Sequence, residues 1–138
     1  MTLSIRERLL AAITTAVDGQ YRIGQPRDDV DFPICVVQEG DEVASNDAHG
    51  FSVIELPIVV AKGEKTTDSS PDALRAKGHE LLASIIEDIF VDQTFGGLAD
   101  DVEYTLGGIL SEPGNRCIAE AQFTVRYQTV RGDPYSNS

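Results

Sequence analysis

The residues of this chain that are suited to metal binding or nucleophilic chemistry are few and scattered. Two histidines, His49 and His79, and two cysteines, Cys35 and Cys117, lie far apart in the sequence. Metal sites and nucleophilic catalysts need such residues at short spacings or beside an activating base. We therefore predict no metal site, no cofactor and no catalytic residue, and we expect a protein that acts by contact and not as an enzyme.

Acidic and glycine-rich stretches are the other candidates for chemistry. The run 28–31 holds three aspartates but lacks the glycine and the closing glutamate of a calcium loop, which favours a solvated loop. Adjacent acids such as Asp100 and Asp101 point in different directions along a strand. Gly96-Gly97 lacks the lysine of a phosphate-binding loop and indicates a tight turn.

The cysteines and the apolar runs also bear on the compartment. Cys35 and Cys117 each lie in an apolar run, which is typical of buried, reduced thiols in a cytosolic protein. A disulfide would require their two strands to lie side by side, and the sequence leaves that open. No secretion signal follows Met1, and no run reaches the roughly 18 apolar residues of a membrane span.

The charge of the chain is strongly negative and uneven. The net charge is −12 over 138 residues, and the ranges 28–61 and 78–115 each hold eight acids without a lysine or arginine. A nucleic-acid-binding surface needs basic residues, so this charge argues against specific DNA or RNA binding. Solubility alone is the other explanation of the charge.

Hydrophobic periodicity predicts two helices. The first covers residues 3–17, with Ser4 and Glu7 as a capping box and Ile5, Leu9 and Ile13 on one apolar stripe. The second begins at Ser70-Pro71-Asp72, a typical helix start, and runs to about Phe90. Gly78 lies on the apolar stripe of this helix, where we expect it to allow a close approach to the sheet.

Four strands are predicted, in two hairpins. Residues 116–129 alternate between apolar and polar, and residues 99–110 do so more briefly, with Val102, Tyr104 and Leu106 on one face. The turn signal Pro113-Gly114 joins these two strands. The other hairpin pairs residues 32–38 with 51–61 across a projecting loop, and Pro57 indicates a bulge or an edge.

The expected fold class is α+β. We predict a two-layer sandwich in which two helices pack on a mainly antiparallel four-stranded sheet, in the order α-β-β-α-β-β. One domain then covers residues 1–130, and residues 131–138 form a polar tail that is loose unless a neighbour holds it.

Several short motifs resemble a known family. They are the segment 92–99, Asp-Gln-Thr-Phe-Gly-Gly-Leu-Ala; Tyr104 followed by Gly107-Gly108; and the closing 123–129 with Gly132-Asp133-Pro134. The early helix, Phe32-Pro33-Ile34 and Glu39-Gly40-Asp41-Glu42 are similar too. Over most of its length the chain resembles the tail terminator and minor tail proteins of long-tailed bacteriophages, of the lambda tail terminator type.

The resemblance implies a structural protein of the virion. Tail terminators form a hexameric ring at the head-proximal end of the tail, stop polymerisation of the tail tube and present a joining surface to the head connector. The implied partners are therefore five further copies of the chain, the tail tube protein and the head–tail connector protein. DNA would pass through the lumen without specific binding, assembly would occur in the host cytoplasm, and no membrane is involved.

The ring implied by this resemblance directs attention to two sets of charged residues. Bases are scarce on this acidic chain, so we expect Arg6, Arg8, Arg126 and Arg131 at subunit interfaces, although isolated surface arginines are the alternative. Tyr135 is a further interface candidate, because it is the aromatic residue of a tail that could lie on a neighbour. Acids facing the channel would let DNA slide past, and the candidates are Glu39, Asp41, Glu42, Asp47, Asp100, Asp101 and Glu103.

Two other functions stay open at this point. A head–tail connector or tail completion protein has a similar α+β layout. From a different class, a monomeric acidic adaptor could bind a basic partner.

Overall fold

A computed structural model describes residues 2–21, 32–47, 49–68, 70–112 and 115–137. Two helices and six strands follow one another in these residues, in the order α-β-β-β-β-α-β-β. Their bounds are α1 Ile5–Ala16, β1 Gln20–Tyr21, β2 Ile34–Glu39, β3 Val43–Asn46, β4 Phe51–Lys65, α2 Pro71–Phe90, β5 Asp101–Glu112 and β6 Arg116–Val130.

The six strands form one mixed sheet in the order β1-β2-β4-β6-β5, with β3 paired to β4 beside β2. The β1–β2 pair is parallel, and all the other pairs are antiparallel. The predicted four-stranded antiparallel sheet and the order α-β-β-α-β-β are therefore wrong. The structure keeps the α+β class with two helices, and it adds two short strands.

The strand β3 lies within the predicted projecting loop. It pairs with β4 from Val43↔Glu55 to Asn46↔Ser52, so that β2 and β3 together follow one edge of the long β4. Pro57 of β4 lies opposite the break between β2 and β3, where its carbonyl accepts a hydrogen bond from the Gly40 amide. Because proline has no amide hydrogen to donate, the neighbouring strand is interrupted at this point.

The strand β1 escaped the sequence analysis because it has only two residues. Gln20 pairs with Val36 and Tyr21 with Val37, and this parallel contact makes the sheet mixed. Two residues show no periodicity, so no pattern can indicate such a strand.

The core lies between the two helices and one face of the sheet. Fifteen residue pairs join β4 and β6, from Phe51↔Val130 to Lys65↔Arg116. Alternate residues of these strands face the helices and are buried, and they include Ile54, Leu56, Ile58, Val60, Ala119, Ala121, Phe123, Val125 and Tyr127. The predicted strand 116–129 is thus confirmed, and its apolar face is the floor of the core.

The two helices start where the sequence predicts. The Ser4 hydroxyl accepts a hydrogen bond from the Glu7 amide at 3.2 Å, and the Ser70 hydroxyl accepts one from the Ala73 amide at 3.2 Å. Ile5, Leu9 and Ile13 form the buried stripe of α1. Both caps satisfy amides that the first turn of a helix otherwise leaves without partners.

A bulge in β5 changes the face of one predicted residue. Tyr104 lies opposite Phe123, but the register shifts after it, so that Leu106 lies opposite Gln122. Thr105 is the extra residue, and its hydroxyl donates to the Gln122 carbonyl at 3.0 Å. The shift moves Leu106 to the sheet face away from the helices, so its predicted grouping with Val102 and Tyr104 is wrong.

Residues 131–137, expected to be a loose tail, lie against the chain's own first helix. The Ile5 amide donates to the Pro134 carbonyl at 3.0 Å, and the Arg8 guanidinium donates to the Tyr135 carbonyl at 2.8 Å. The tail also returns to β6, where the Val130 amide donates to the Ser136 carbonyl. These bonds are made within the chain and need no neighbour.

Both cysteines are free thiols. Cys35 lies on β2 and Cys117 on β6, and β4 runs between these two strands. Burial raises the pKa of both thiols, so both are protonated at neutral pH. The thiolate is the nucleophilic form, and neither cysteine therefore has the environment of a reactive thiol.

Two predictions fall on residues that the structure does not describe in full. The aspartate run 28–31 and the turn residues Pro113-Gly114 lie outside the described residues. Within the described ranges, no helix combines the length and the apolar composition needed to cross a membrane.

Gly78 offers a test of how closely α2 approaches the sheet. A Cβ atom at Gly78 would overlap the Ile109 side chain on β5 and would lie 3.1 Å from the Cys117 Sγ. We expect Gly78→Ala to lower the free energy of unfolding by about 1–2 kcal/mol, because overpacking outweighs the gain in helix propensity. Urea unfolding measures this change.

Two further variants serve as controls for Gly78→Ala. Ala76→Gly, at an exposed position of α2, should cost about 1 kcal/mol through helix propensity alone. In the Ile109→Ala background, which removes the overlapping atoms, Gly78→Ala should become neutral or stabilising. A stabilising effect of Gly78→Ala in the unmodified chain would contradict the close approach.

Candidate functional site

The long edge strand β5 carries exposed apolar side chains. It ends the strand order, so its outer side has no partner strand among the described residues. Leu106 is 65% exposed and Leu110 is 56% exposed, and both lie on the face away from the helices. A strand of twelve residues extends about 40 Å, which is long for an unprotected edge.

Two glycines shape the middle of β5. The Tyr104 side chain lies across Gly107 on the helix side and leaves no room there for a Cβ atom. On the other face Gly108 has open space, between the exposed Leu106 and Leu110. A cavity of about 210 Å³ lies beside these residues and reaches Val59 and Gln122. We call Leu106, Gly108 and Leu110 the β5 edge.

The opposite side of the sheet is also incompletely paired. All four residues of β3 are exposed, and Val43 is 65% exposed. The only described strand beyond β2 is β1, which pairs with just Val36 and Val37. We call Val43–Asn46 the β3 edge. A neighbouring strand could therefore pair with either side of the sheet.

Arg6 holds two of the candidate lumen acids within the chain. Its Nε donates to Glu39 at 2.8 Å, its Nη1 donates to Glu42 at 2.9 Å, and its Nη2 donates to the Gly40 carbonyl at 3.2 Å. Burial lowers the pKa of Arg6, but the hydrogen bonds to the two glutamates outweigh that effect and raise it. The guanidinium thus fixes the link between β2 and β3 to α1.

Two tyrosines complete this arrangement. The Tyr127 hydroxyl donates to Glu42 at 3.0 Å, and the Tyr21 hydroxyl donates to Glu39 at 3.1 Å. Burial and the contact with Glu42 raise the pKa of Tyr127. Five residues on four elements and one connecting segment therefore form a continuous network, which we call the Arg6 network.

Arg126 forms a second cluster on the exposed sheet face. Its guanidinium lies 3.3 Å from Glu55, 3.7 Å from Asp101 and 3.1 Å from Glu103. The hydrogen bond and charge of Glu55 raise the pKa of Arg126. These three acids come from β4 and β5, on either side of β6, so the cluster ties three strands together across the open face.

The other predicted interface residues also have partners within the chain. Arg8 donates to the Tyr135 carbonyl, and Arg131 donates to the Asp47 carbonyl. The Tyr135 ring is exposed. The structure thus gives every candidate interface arginine an internal contact, and their role at a subunit interface stays a prediction.

The remaining candidate lumen acids differ in their surroundings. Asp47 accepts hydrogen bonds from the amides of Phe51 and His49, and the bond from Phe51 contributes most to lowering its pKa. Asp41 and Asp100 are exposed, and no ion pair joins either of them to another described residue. Their placement in a channel stays a prediction, as does that of the acids held by Arg6 and Arg126.

One cluster contains residue types that also occur in hydrolases. The Lys62 Nζ donates to the Ser84 hydroxyl at 2.8 Å and lies 3.5 Å from Asp88, beside a cavity of about 350 Å³ that also reaches Cys35. These contacts join β4 to α2 through a hydrogen bond and an ion pair. Among the described residues, no three His, Cys, Asp or Glu side chains are grouped as a metal site.

Comparison with known proteins gave no family assignment. A scan against models of protein families found no match, and a search of curated protein sequences found no relative.

The sequence analysis did not predict which residues are exposed at the edges of the sheet. The bulge at Thr105 shifts the alternation of the two sheet faces by one residue, so the regular pattern wrongly predicted Leu106 on the same face as Val102 and Tyr104. Val43 lies in a strand without any buried residue, which gives no periodic signal. The pair Gly107-Gly108 was the available clue, because glycines inside a strand often mark a close approach or a bulge.

The Arg6 network should contribute measurably to stability. Only 27% of the Arg6 side chain is exposed, so we expect Arg6→Met to lower the free energy of unfolding by about 2 kcal/mol at pH 7, since two carboxylates lose their partner. A double-mutant cycle with Glu39→Gln, followed by urea unfolding, should give a coupling of about 1 kcal/mol.

The matched control for Arg6 is Arg75. Its ion pair with Asp72 is exposed and lies within one helix. Arg75→Met should cost less than about 0.5 kcal/mol. Equal effects of the two substitutions would show that Arg6 acts as an ordinary surface arginine.

Proposed function

We propose that this protein is a tail terminator of a long-tailed bacteriophage. Six copies form a ring that caps the tail tube, ends its polymerisation and presents the joining surface to the head connector. The proposal rests on the resemblance of segments 92–99 and 123–134 to that family, and the observation that supports it is the unpaired β5 edge. Its location would be the head-proximal end of the tail.

The two edges suggest how the ring closes. The β5 edge and the β3 edge lie at opposite sides of one sheet, so a contact between them joins different surfaces of successive copies. Such a head-to-tail contact generates a closed ring when the rotation between copies suits it. Main-chain hydrogen bonds would hold the copies together, with Leu106 and Leu110 buried beside the neighbour.

The negative charge supports the passage of DNA through the ring. Each copy carries −12, and charges of one sign around a channel repel the phosphate backbone. In this proposal Asp41 and Asp100 face the lumen, since no described base neutralises them. The Arg6 network and the Arg126 cluster then serve the subunit itself, and Arg8, Arg131 and Tyr135 lie nearest to a neighbour.

The first experiment measures mass and tube capping. Light scattering should give about 89 kDa, the mass of six copies of 14.9 kDa, for a ring that forms without the tube. A ring that forms only on the tube is detected after purified tail tubes have been added. Electron microscopy should show one ring on one end of each tube and no further growth of that tube. A monomer that leaves tube growth unchanged would contradict the proposal.

Engineered disulfides test the edge contact in the ring. Val43 and Leu106 lie on the same face of the sheet, so we expect oxidation of V43C/L106C or V43C/L110C to give a ladder of covalent species up to six copies. V91C/L106C is the control, because Val91 is exposed at the end of α2 and belongs to neither sheet edge. A ladder from the control alone would place the contact elsewhere.

The lumen assignment has a separate test. We expect D41N/D100N to reduce DNA ejection and infectivity, on the order of tenfold, because the channel loses part of its repulsion. D72N/E87Q removes the same charge from the exposed face of α2 and should leave both unchanged. Phage that carry D41N/D100N and eject DNA normally would rule out a lumen role for these two acids.

Two other functions make different predictions. A head–tail joining protein would ignore tubes and bind the purified head connector. An acidic adaptor would stay monomeric under all these conditions and bind a basic partner.

A further inference from the structure

An apolar groove lies between the two helices, and no strand residue lines it. Its volume is about 480 Å³, and it runs from the second half of α1 to the end of α2. Three alanines and Thr15 form the α1 side, and Ile89, Val91 and Phe95 form the α2 side. We call this surface the helix groove. Small residues on one side and larger apolar residues on the other leave room for an inserted side chain.

Val91 is an apolar side chain of the groove that is largely exposed to solvent. Its side chain is 84% exposed, whereas the neighbouring Ile89 and Phe95 are 1% and 7% exposed. No described residue of the chain covers it. An aliphatic side chain on the rim of an apolar groove gains free energy when a partner removes it from water.

The rim of the groove is negative. Asp88 and Asp92 lie on it, and neither α1 nor α2 has a basic residue in its last turn, where the helix dipole is negative. Asp88 is ion-paired with Lys62. The Asp92 carboxylate accepts hydrogen bonds from the amides of Gly96 and Thr94, which lower its pKa and keep it charged.

The described part of the chain has few cations to offer this surface. Eight of the nine described lysines and arginines contact an acid, a carbonyl or an aromatic ring of their own chain, and Lys65 is the exception. The described residues of a second copy would therefore bring cationic side chains that are mostly occupied already. Charge complementarity points to a different and basic protein.

We propose that the helix groove binds a cationic amphipathic segment of another protein, with one apolar side chain seated against Ile89, Val91 and Phe95. Lysine or arginine residues beside that anchor face Asp92 and the negative C-terminal ends of the two helices. An amphipathic helix laid along α1 and α2 has this pattern of apolar and basic residues. The surface is separate from the sheet edges, so one copy could use both at once.

Designed peptides test the groove. The probe is a peptide of about 18 residues with leucine at helical spacing and lysine elsewhere, compared with a glutamate version and a scrambled lysine version. Fluorescence anisotropy measures Kd, and NMR shifts of methyl groups locate the binding. We expect the lysine peptide to bind about tenfold more tightly than either control, with shifts at Ala12, Ile89 and Val91.

A groove-filling variant and its matched control complete the test. Ala11 is exposed and lines the groove, so Ala11→Trp should fold normally and weaken the lysine peptide about tenfold. Ala83 is exposed on α2 outside the groove, and Ala83→Trp should leave Kd unchanged.

Three outcomes would overturn the proposal. Equal binding of the scrambled peptide, or no effect of Ala11→Trp, would show mere attraction to an acidic protein. Shifts confined to another surface would place the site elsewhere. A dimer that forms without peptide and is lost in Ala11→Trp would show that a second copy occupies the groove.

Discussion

The pairing of β4 with β6 is the constraint on which the other elements depend. Fifteen residues of each strand lie opposite one another, and the partners are more than 50 positions apart in sequence. β2 and β3 attach to the free side of β4, and β5 attaches to the free side of β6. Closing such long loops is costly in entropy, and the buried aliphatic and aromatic side chains on the helix face of the two strands offset that cost.

The two faces of this central pair give the molecule its two kinds of surface. Both helices cover one face, where most of the apolar side chains are buried and where the helix groove lies at the end of α2. No helix among the described residues covers the other face, which holds the Arg126 cluster, with the β5 edge and the β3 edge on either side. Such separate surfaces would suit the proposed ring, in which each copy contacts neighbours and partners at the same time.

Local features could be predicted from the sequence, whereas features that depend on contacts between distant residues could not. The caps at Ser4 and Ser70, the buried stripe of α1 and the strand 116–129 follow from local spacing, and the structure confirms them. β1 is too short and β3 too exposed to produce a periodic pattern, so the sheet was predicted with too few strands. The bulge at Thr105 moved Leu106 to the other face, and no composition rule indicates where an edge strand bulges.

The candidate charged residues show the same division. The scarcity of bases and the runs of acids indicated which charged residues to consider, but not which of them are paired. Arg6 and Glu39 are 33 positions apart in the sequence, and Arg126 and Glu55 are 71 positions apart. Glu39, Glu42, Asp101 and Glu103 are therefore engaged in ion pairs that the sequence could not assign.

The contact between Ile5 and Pro134 has a consequence for the order of folding. The first amide of α1 is bonded to Pro134, which the ribosome makes long after α1, and the buried stripe of α1 shares one core cluster with β6. A nascent chain can form this helix early, but the helix lacks the surface that it covers until β6 and Pro134 have left the ribosome. Helix α1 therefore packs late, and any fragment that stops before β6 leaves Ile5, Leu9 and Ile13 without that part of the core.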